Sequence, residues 1–560
     1  MRIAVLRRNA SLFRLLSALF AVVVLAAGCS GPDAENSITE PQDTNSVGRD
    51  LGETTTIPEV IAFVDEPVTL RVGVPRLDYV VPHEVDETDP VAVLIADVLT
   101  DGLTQIDPST GLAAPALADA WRVSTDGLTW TFALGNHAFS TGEEITPDDV
   151  VASLNRVAAQ GINSLTGPSL WPIEGWLEAS AADDGAVVTG ISVVGENDVQ
   201  ISLLTPYADL AEVLASVVFG VVPADDARPD LVAGEFPLTS SASLAPIALW
   251  EDGIRLQGEE VPGEISAIEL FLDPEGSLLA AGEVDLGVGY DPSISLPGIT
   301  HTTSERSGHV FFAMDASDAP LNDPLIRQAI LHTIDREAIR DEFFPDLVVM
   351  NGFKPASDAE DACAGACELD LEQAQTLIEA SSNRDVALTV DFFFDAPSED
   401  PGAEAATPEQ DLATAIATAL QEIGLNATAV GHDPAEYGAR AANGELGLFR
   451  FGAVTTSPSR ESDVAAIFAT DGSDNITGIS IDRLDDVLNE ARGELDGDER
   501  QLRYAEAEQI VFGEAAFAPL VSLHHDLWFG ENLNSAGLEP DGSLDLAAMT
   551  VVIDQFLDEE

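Results

Sequence analysis

The chain has 560 residues and a formal net charge of -74, from 98 Asp and Glu against 24 Lys and Arg. A surface that acidic repels phosphate backbones and anionic headgroups, which argues against nucleic acid, and against direct adsorption to an anionic bilayer, as modes of action. Hydrophobic residues make up 45% of the chain; disorder pairs high charge with low hydrophobicity, so the composition reads as a globular, acid-coated protein, and its length suggests several domains of about 100–200 residues each.

Met1 to Arg14 holds Arg2, Arg7, Arg8 and Arg14 and no acid, and an apolar run from Leu15 to Ala27 leads into Gly28-Cys29. A basic stretch, a short apolar stretch and small residues before a cleavage point describe a secretory signal, and the run falls short of the roughly 20 residues that span a bilayer. Ala26-Ala27-Gly28-Cys29 resembles the lipobox of bacterial lipoproteins, although Ala26 stands where the lipobox prefers Leu. The resemblance implies a signal peptide over 1–28, acylation of Cys29 and a lipid-anchored place on the extracytoplasmic face of a cell membrane. Arg7-Arg8 is followed by Asn9-Ala10-Ser11, a poor twin-arginine match, so the export route stays open. Residues 29–60, rich in Ser, Thr, Asn, Asp, Gly and Pro to about Thr56, read as a flexible tether.

Folded structure is predicted to begin at Val68-Thr-Leu70-Arg-Val72-Gly-Val74, which alternates apolar and polar residues as a strand does. The same alternation recurs at 130–134, 199–203, 268–272 and 388–394. Thr146-Pro147-Asp148-Asp149 supplies an N-cap, a first-position Pro and acids for the first turn of a helix, and Asp323-Pro324 opens a second in the same way. Further helical patterns lie near 371–380, 408–423, 481–492 and 499–511. Mixed strands and helices make an α/β or α+β protein of more than one lobe. Beyond Cys29 the only cysteines are Cys363 and Cys367, four apart in a small, Gly-containing loop; in an exported chain such a pair is read as a disulfide.

The stretch Asp107-Pro-Ser-Thr-Gly-Leu112, Pro115-Ala-Leu-Ala118, Trp121-Arg-Val-Ser124 and Asp126-Gly-Leu-Thr-Trp-Thr-Phe132, followed by Phe139-Ser-Thr-Gly142 and Thr146–Arg156, resembles the signature region of family 5 extracellular solute-binding proteins, the peptide-binding components of ABC importers. Ala281–Asp285, Asn322–Ile330 with Ile334-Asp-Arg336, Asn475–Gly478 with Asp485, and Ala518–Leu520 resemble later family motifs in order. The resemblance spans about 68–560 and implies an α/β, two-lobed periplasmic-binding-protein-like fold with an extra N-terminal subdomain and a hinge between the lobes. On that pattern lobe 1 covers 61–310 with the subdomain at about 90–195, lobe 2 covers 311–523, and 524–560 returns to lobe 1. The first crossing is placed at or beside Phe311–Met314 and the return near Leu520–Leu527. Gly111 and Gly142 read as turn residues, Trp121, Trp130 and Phe132 as core aromatics, and Arg327 and Asp335 as structural partners rather than ligand contacts.

Catalysis finds little support. The chain has no Gly-x-Ser-x-Gly elbow, no His-Glu-x-x-His and no glycine-rich nucleotide loop, and its one lysine, Lys354, precedes Pro355 without a phosphate-loop context. The adjacent His524 and His525 would point to opposite faces of a strand, and Asp471–Asn475 and Asp496–Asp498 read as solvated turns, so neither a metal nor a cofactor is expected. The implied function is capture of a peptide or peptide-like solute by a monomer that works with importer permease subunits; a surface receptor that keeps the fold without transport, and a secreted hydrolase, are the alternatives. In peptide-binding relatives a Trp-x-x-Asp-Tyr-Pro-Asp-Pro-like segment supplies an Asp to the peptide's α-amino group. Here the corresponding stretch is Phe451-Gly-Ala-Val-Thr-Thr-Ser-Pro458, with Phe451 for Trp and Val454 for the Asp, which marks a divergent member. Candidate solute contacts are Phe449, Phe451, Thr455 and Thr456 on this segment, Tyr79 and His83 after the first strand, and Trp171 and Trp176 in a Gly/Pro-rich loop; Phe449 and Phe451 read equally well as strand core.

Overall fold

The computed structural model describes residues 68–533 apart from 78–80, 86–88, 108–109, 140–141, 162–169, 183–186, 225–244, 251–252, 258–264, 292–293, 346, 354–361, 394–407, 455–458, 473–474 and 531–532. Cys29, the signal, the tether, Tyr79, Thr455, Thr456 and 534–560 lie outside the described residues. No helix among those described is long and apolar enough to cross a membrane.

The chain folds into two lobes. In lobe 1, β1 (Val68–Val74) precedes α1 (Pro90–Leu99), which is started by Asp89 accepting from the amides of Val91 and Ala92. Leu70, Val72 and Val74 of β1 are fully buried and pack with Val91, Leu94, Ile95 and Val98 of the helix.

The chain then builds a subdomain from β2 (Thr104–Asp107), β3 (Leu112–Pro115), β4 (Ala118–Val123), β5 (Thr129–Leu134), α2 (Pro147–Ala159), α3 (Trp176–Ser180), β6 (Ile191–Val194), β7 (Asp198–Ser202) and α4 (Leu210–Val213). Its antiparallel sheet runs β4-β5-β7-β6. The start predicted for α2 is present as a capping box: Asp149 Oδ2 accepts from the Thr146 amide at 2.8 Å, and its Oδ1 accepts from the Ala224 amide at 2.8 Å. Trp130 and Phe132 are buried and stacked at 6.0 Å, and Gly111 and Gly142 take φ of 68° and 85°, the left-handed turn geometry that favours glycine. The subdomain core runs over 103–221 rather than the expected 90–195. Residues 90–99 form an apolar helix whose buried face is taken up by β1, while the run 207–221, largely apolar but with Asp209 and Glu212 near its start, closes the subdomain.

Lobe 1 resumes with β8 (Ala245–Trp250), β9 (Gly253–Gln257), β10 (Ile265–Leu272), α5 (Ser277–Ala280) and β11 (Leu286–Val288). β1 is paired in parallel with both β10 and β11, and central parallel strands of this kind are apolar on both faces. The chain leaves lobe 1 on β12 (Thr300–Met314), about 50 Å of strand at the usual rise.

Lobe 2 contains α6 (Pro324–Leu331), α7 (Arg336–Phe343), β13 (Val348–Val349), α8 (Leu371–Ala380), β14 (Ala387–Phe393), α9 (Pro408–Glu422), β15 (Asn426–His432), α10 (Pro434–Ala442), β16 (Leu448–Val454), α11 (Arg460–Phe468), α12 (Asp482–Gly493) and α13 (Gly497–Gly513), and β17 (Phe517–Phe529) leads back toward lobe 1. One sheet, ordered β15-β14-β16-β12-β17-β11-β1-β10-β9-β8, runs through both lobes. Arg327 is buried and donates to the carbonyls of Leu321, Glu514 and Ala515 at 3.0, 3.0 and 3.1 Å, and Asp335 caps α7, so both have structural roles. A disulfide joins Cys363 and Cys367, with Cα atoms 5.5 Å apart.

Candidate functional site

The lobes are joined by the antiparallel ladder of β12 and β17. Its lobe 1 half pairs Thr300 with Phe529 and Thr303 with Asp526; its lobe 2 half pairs His309 with Ser522 and Ala313 with Phe517. Between Glu305 and His309, four steps along β12 match two along β17, and a second shift follows at Val310/Phe311. Extra residues in one strand interrupt the ladder and bend it, so this is where the ribbon is least constrained. Its lobe 2 end is fixed: Phe311 packs against Phe451 and Phe517 with ring centroids 5.5 and 4.9 Å away. His309 is buried against Phe353 at 5.3 Å and lies 3.3 Å from the Ser522 hydroxyl. Burial holds its imidazole down at about 4, so it is neutral at physiological pH.

β16 lies on the other side of β12 and ends with the Val454 backbone opposite Gly308, beside the ladder interruption. The chain re-emerges at Ser459, whose side chain accepts from the Glu461 amide at 3.1 Å to start α11. The segment singled out from sequence therefore runs from the hinge ladder to a helix start.

That helix start meets the subdomain in a buried ionic cluster. Arg500 of α13 reaches Glu212 at 2.5 Å and Asp209 at 3.3 Å. The Tyr504 hydroxyl donates to Asp209 and lies 3.4 Å from Glu461 Oε2, while Arg492 holds Glu461 Oε1 at 2.6 Å. Arg460 pairs with Glu508 alongside. The Ala208 amide donates to the Arg492 carbonyl at 2.9 Å. Asp209 is 1% exposed, Glu461 4% and Arg500 3%. Burial raises the carboxyls of Asp209 and Glu212 against the pull of Arg500, and pushes Glu461 up to about 7 despite Arg492. Burial and the surrounding carboxylates drive the Tyr207 and Tyr504 phenols well above their ordinary range.

The candidate residues fall into two groups. Trp171 is half-buried and lies under the Arg492 guanidinium, 5.9 Å from ring centre to carbon, at the edge of the cluster. Phe451 is half-buried at the hinge, and His83 is half-buried in the turn Pro82–Glu84 at the root of the subdomain. Trp176, 0% exposed, is instead part of the subdomain core, and Phe449, 1% exposed, part of the lobe 2 core; complete burial in apolar packing favours a core role for both. The sequence reading missed Asp209, Glu212, Glu461, Arg492, Arg500 and Tyr504. Its one usable signal was two acids in the apolar run Ala208-Asp-Leu-Ala-Glu-Val-Leu214, since carboxylates among core residues need partners.

Comparison with known proteins agrees with this architecture. Heme-binding protein A of Haemophilus influenzae is 23% identical over 449 residues, covering 72% of this chain and 78% of that protein. The dipeptide-binding protein of Escherichia coli is 21% identical, covering 77% and 84% respectively. The structure of HbpA2 from Haemophilus parasuis superposes with a TM-score of 0.69 at 18% identity, over 87% of this chain and all of that one. The family model for bacterial extracellular solute-binding proteins, family 5, matches residues 113–239 and 275–475. With more than half its length matched and two lobes joined by a two-strand hinge, the chain belongs to the bacterial extracellular solute-binding proteins, family 5.

Proposed function

We propose that this protein captures peptides or peptide-like solutes between its two lobes as the lipid-anchored, substrate-binding component of an ABC importer. The observation that carries the reading is the interrupted β12–β17 ladder, a two-strand hinge of the kind a closing clamp needs. Lobe limits at 61–310 and 311–523, with 524–560 returning, are part of this reading, and the position of the ladder interruption supports the boundary near 310. Cys29 would hold the clamp to the membrane through the 29–60 tether, and a tether of that length raises the effective concentration at a membrane partner toward the millimolar range. The protein acts as a monomer and binds without chemistry on its solute. Peptides as solutes are supported by the family and by the dipeptide-binding relative; loss of the acid at Val454 points to solutes that do not depend on a free α-amino group. His83, Trp171 and Phe451, with Tyr79, Thr455 and Thr456, are the residues assigned to contact. Isothermal titration of the mature chain with a library of free and N-acetylated peptides tests this: binding with little preference for the free amine is expected, and absence of binding to every member refutes peptide capture.

A further inference from the structure

The buried cluster spans a joint that no chain connection crosses. Asp209 and Glu212 belong to the subdomain, whereas Glu461, Arg492, Arg500 and Tyr504 belong to lobe 2, and the lobes are linked at β12 and β17. Rotation of lobe 2 against the subdomain about those strands has to part Arg500 from Asp209 and Glu212, and the Ala208 amide from the Arg492 carbonyl.

The cluster is also short of positive charge. Three carboxylates, of Asp209, Glu212 and Glu461, face two guanidiniums, of Arg492 and Arg500, because Arg460 is engaged by Glu508. Donors are short as well. A phenol has one proton, and Tyr504 directs its own to Asp209. Glu461 Oε2 lies 3.4 Å from the same phenol oxygen, at best a weak share of a proton already given to Asp209, and a proton on Glu461 would turn that approach into a full hydrogen bond.

We propose that this contact is a proton-linked latch: the subdomain docks on lobe 2 with a proton held on Glu461 Oε2, and separation of the two releases that proton to water. The proton moves from the carboxyl to solvent and leaves a solvated carboxylate. The inference rests on the solute-binding reading only for its consequence, that opening of the clamp follows pH. The position of Glu461 at about 7 agrees with it. The titratable and charged groups around Glu461 are Tyr207, Asp209 and Glu212 from the subdomain, Arg492 from α12, Arg500, Tyr504 and Glu508 from α13, and Arg460 from its own helix. Asp209 and Glu212 are also raised by burial, so they act in the same direction. With the docked carboxyl raised above its free value, docking is strongest below the ordinary glutamate range, weakens by up to about tenfold per pH unit above it, and levels off above about pH 7.

The test needs no solute, so failure to find a ligand leaves it intact. Dyes placed through Val187→Cys on the subdomain and Leu502→Cys on α13, in a full chain carrying Cys29→Ser, report the separation by energy transfer between about pH 5 and pH 8. The expected result is a population that shifts from short to long distance as pH rises, and a clearly smaller shift over the same range in Glu461→Gln, which keeps a hydrogen-bond donor toward Tyr504 and leaves only Asp209 and Glu212 to titrate. A pH-independent distance distribution in the parent chain overturns the proposal. So does a Glu461→Gln variant that keeps the parent's profile. If that variant does not fold, infrared difference spectra of the parent decide instead: a protonated-carboxyl band that fades as the dyes separate supports the latch, and no such band over the same range overturns it.

Discussion

The Arg500 guanidinium donates to the Glu212 carboxylate at 2.5 Å although the two residues are 288 apart in sequence. The same guanidinium also faces Asp209 at 3.3 Å. Arg500→Met would leave two buried carboxylates with no neighbouring guanidinium, and breaking a buried pair from one side costs about 3–5 kcal/mol. We expect a loss of that size in chemical unfolding of the lobe 2 and subdomain signal, partly recovered when Glu212→Gln and Asp209→Asn are added. A loss below about 1 kcal/mol would show that water already reaches the pair.

His309 gives a second pH dependence, of the opposite sense to the carboxyl cluster. Its imidazole is buried and titrates at about 4, below its ordinary value, so the folded state takes up a proton less readily than the unfolded chain. Its contribution to stability is therefore complete above about pH 6.5 and is lost as pH falls through about 4, to a total of roughly 3 kcal/mol. His309→Gln keeps a hydrogen-bonding group toward Ser522 and cannot titrate. Urea unfolding at about pH 7 and pH 4.5 should show a smaller acid loss in the variant than in the parent; equal losses would mean His309 is not held neutral by the fold.

The elements with their own local signal were legible. β1 alternates, α2 starts at Thr146-Pro147 with Asp149 closing the capping box, and α8 covers Leu371–Ala380; each depends on residues within one or two turns. The subdomain's limits were not, because 90–99 and 207–221 are both apolar helical runs and only tertiary packing decides which core each joins. The ionic cluster was the least legible feature. Glu461 reads as an ordinary acid in a first helical turn, and its proximity to Asp209 depends on how two parts of the chain with separate cores pack together. Trp176 and Phe449 were singled out because aromatics in such segments serve ligand sites and cores alike, and burial separates the two only once the fold is known.

Arg327 was expected to have a structural partner, and its partners are main-chain carbonyls. Nη1, Nη2 and Nε donate to Leu321, Glu514 and Ala515, tying the start of α6 to the turn before β17. Ala515 sits there at φ 48°, a left-handed conformation that costs a non-glycine residue about 1 kcal/mol or more. A lysine cannot reproduce a three-way planar fork. Arg327→Lys should therefore cost about 2–4 kcal/mol through orphaned carbonyls, while Ala515→Gly should gain up to about 1 kcal/mol. Thermal unfolding of both variants checks the pair, and a Lys variant as stable as the parent would mean that water replaces the lost donors.

Val454 offers the most direct probe of cargo. Its backbone ends β16 opposite Gly308, beside the interrupted hinge ladder, and the resemblance to peptide-binding relatives puts an acid there. A carboxylate at that point would meet the ammonium of a free N-terminus with a charge-assisted hydrogen bond, worth about 1.5–3 kcal/mol. Val454→Asp is accordingly expected to tighten binding of free-amine peptides by roughly ten- to a hundredfold and to leave N-acetylated peptides unchanged or weaker, since an unpaired carboxylate must then be desolvated. Titration calorimetry of parent and variant against matched free and acetylated peptides measures both arms. Equal gains for the two peptides would place the N-terminus of the solute away from β16, and the registration of this segment on its relatives would have to be abandoned.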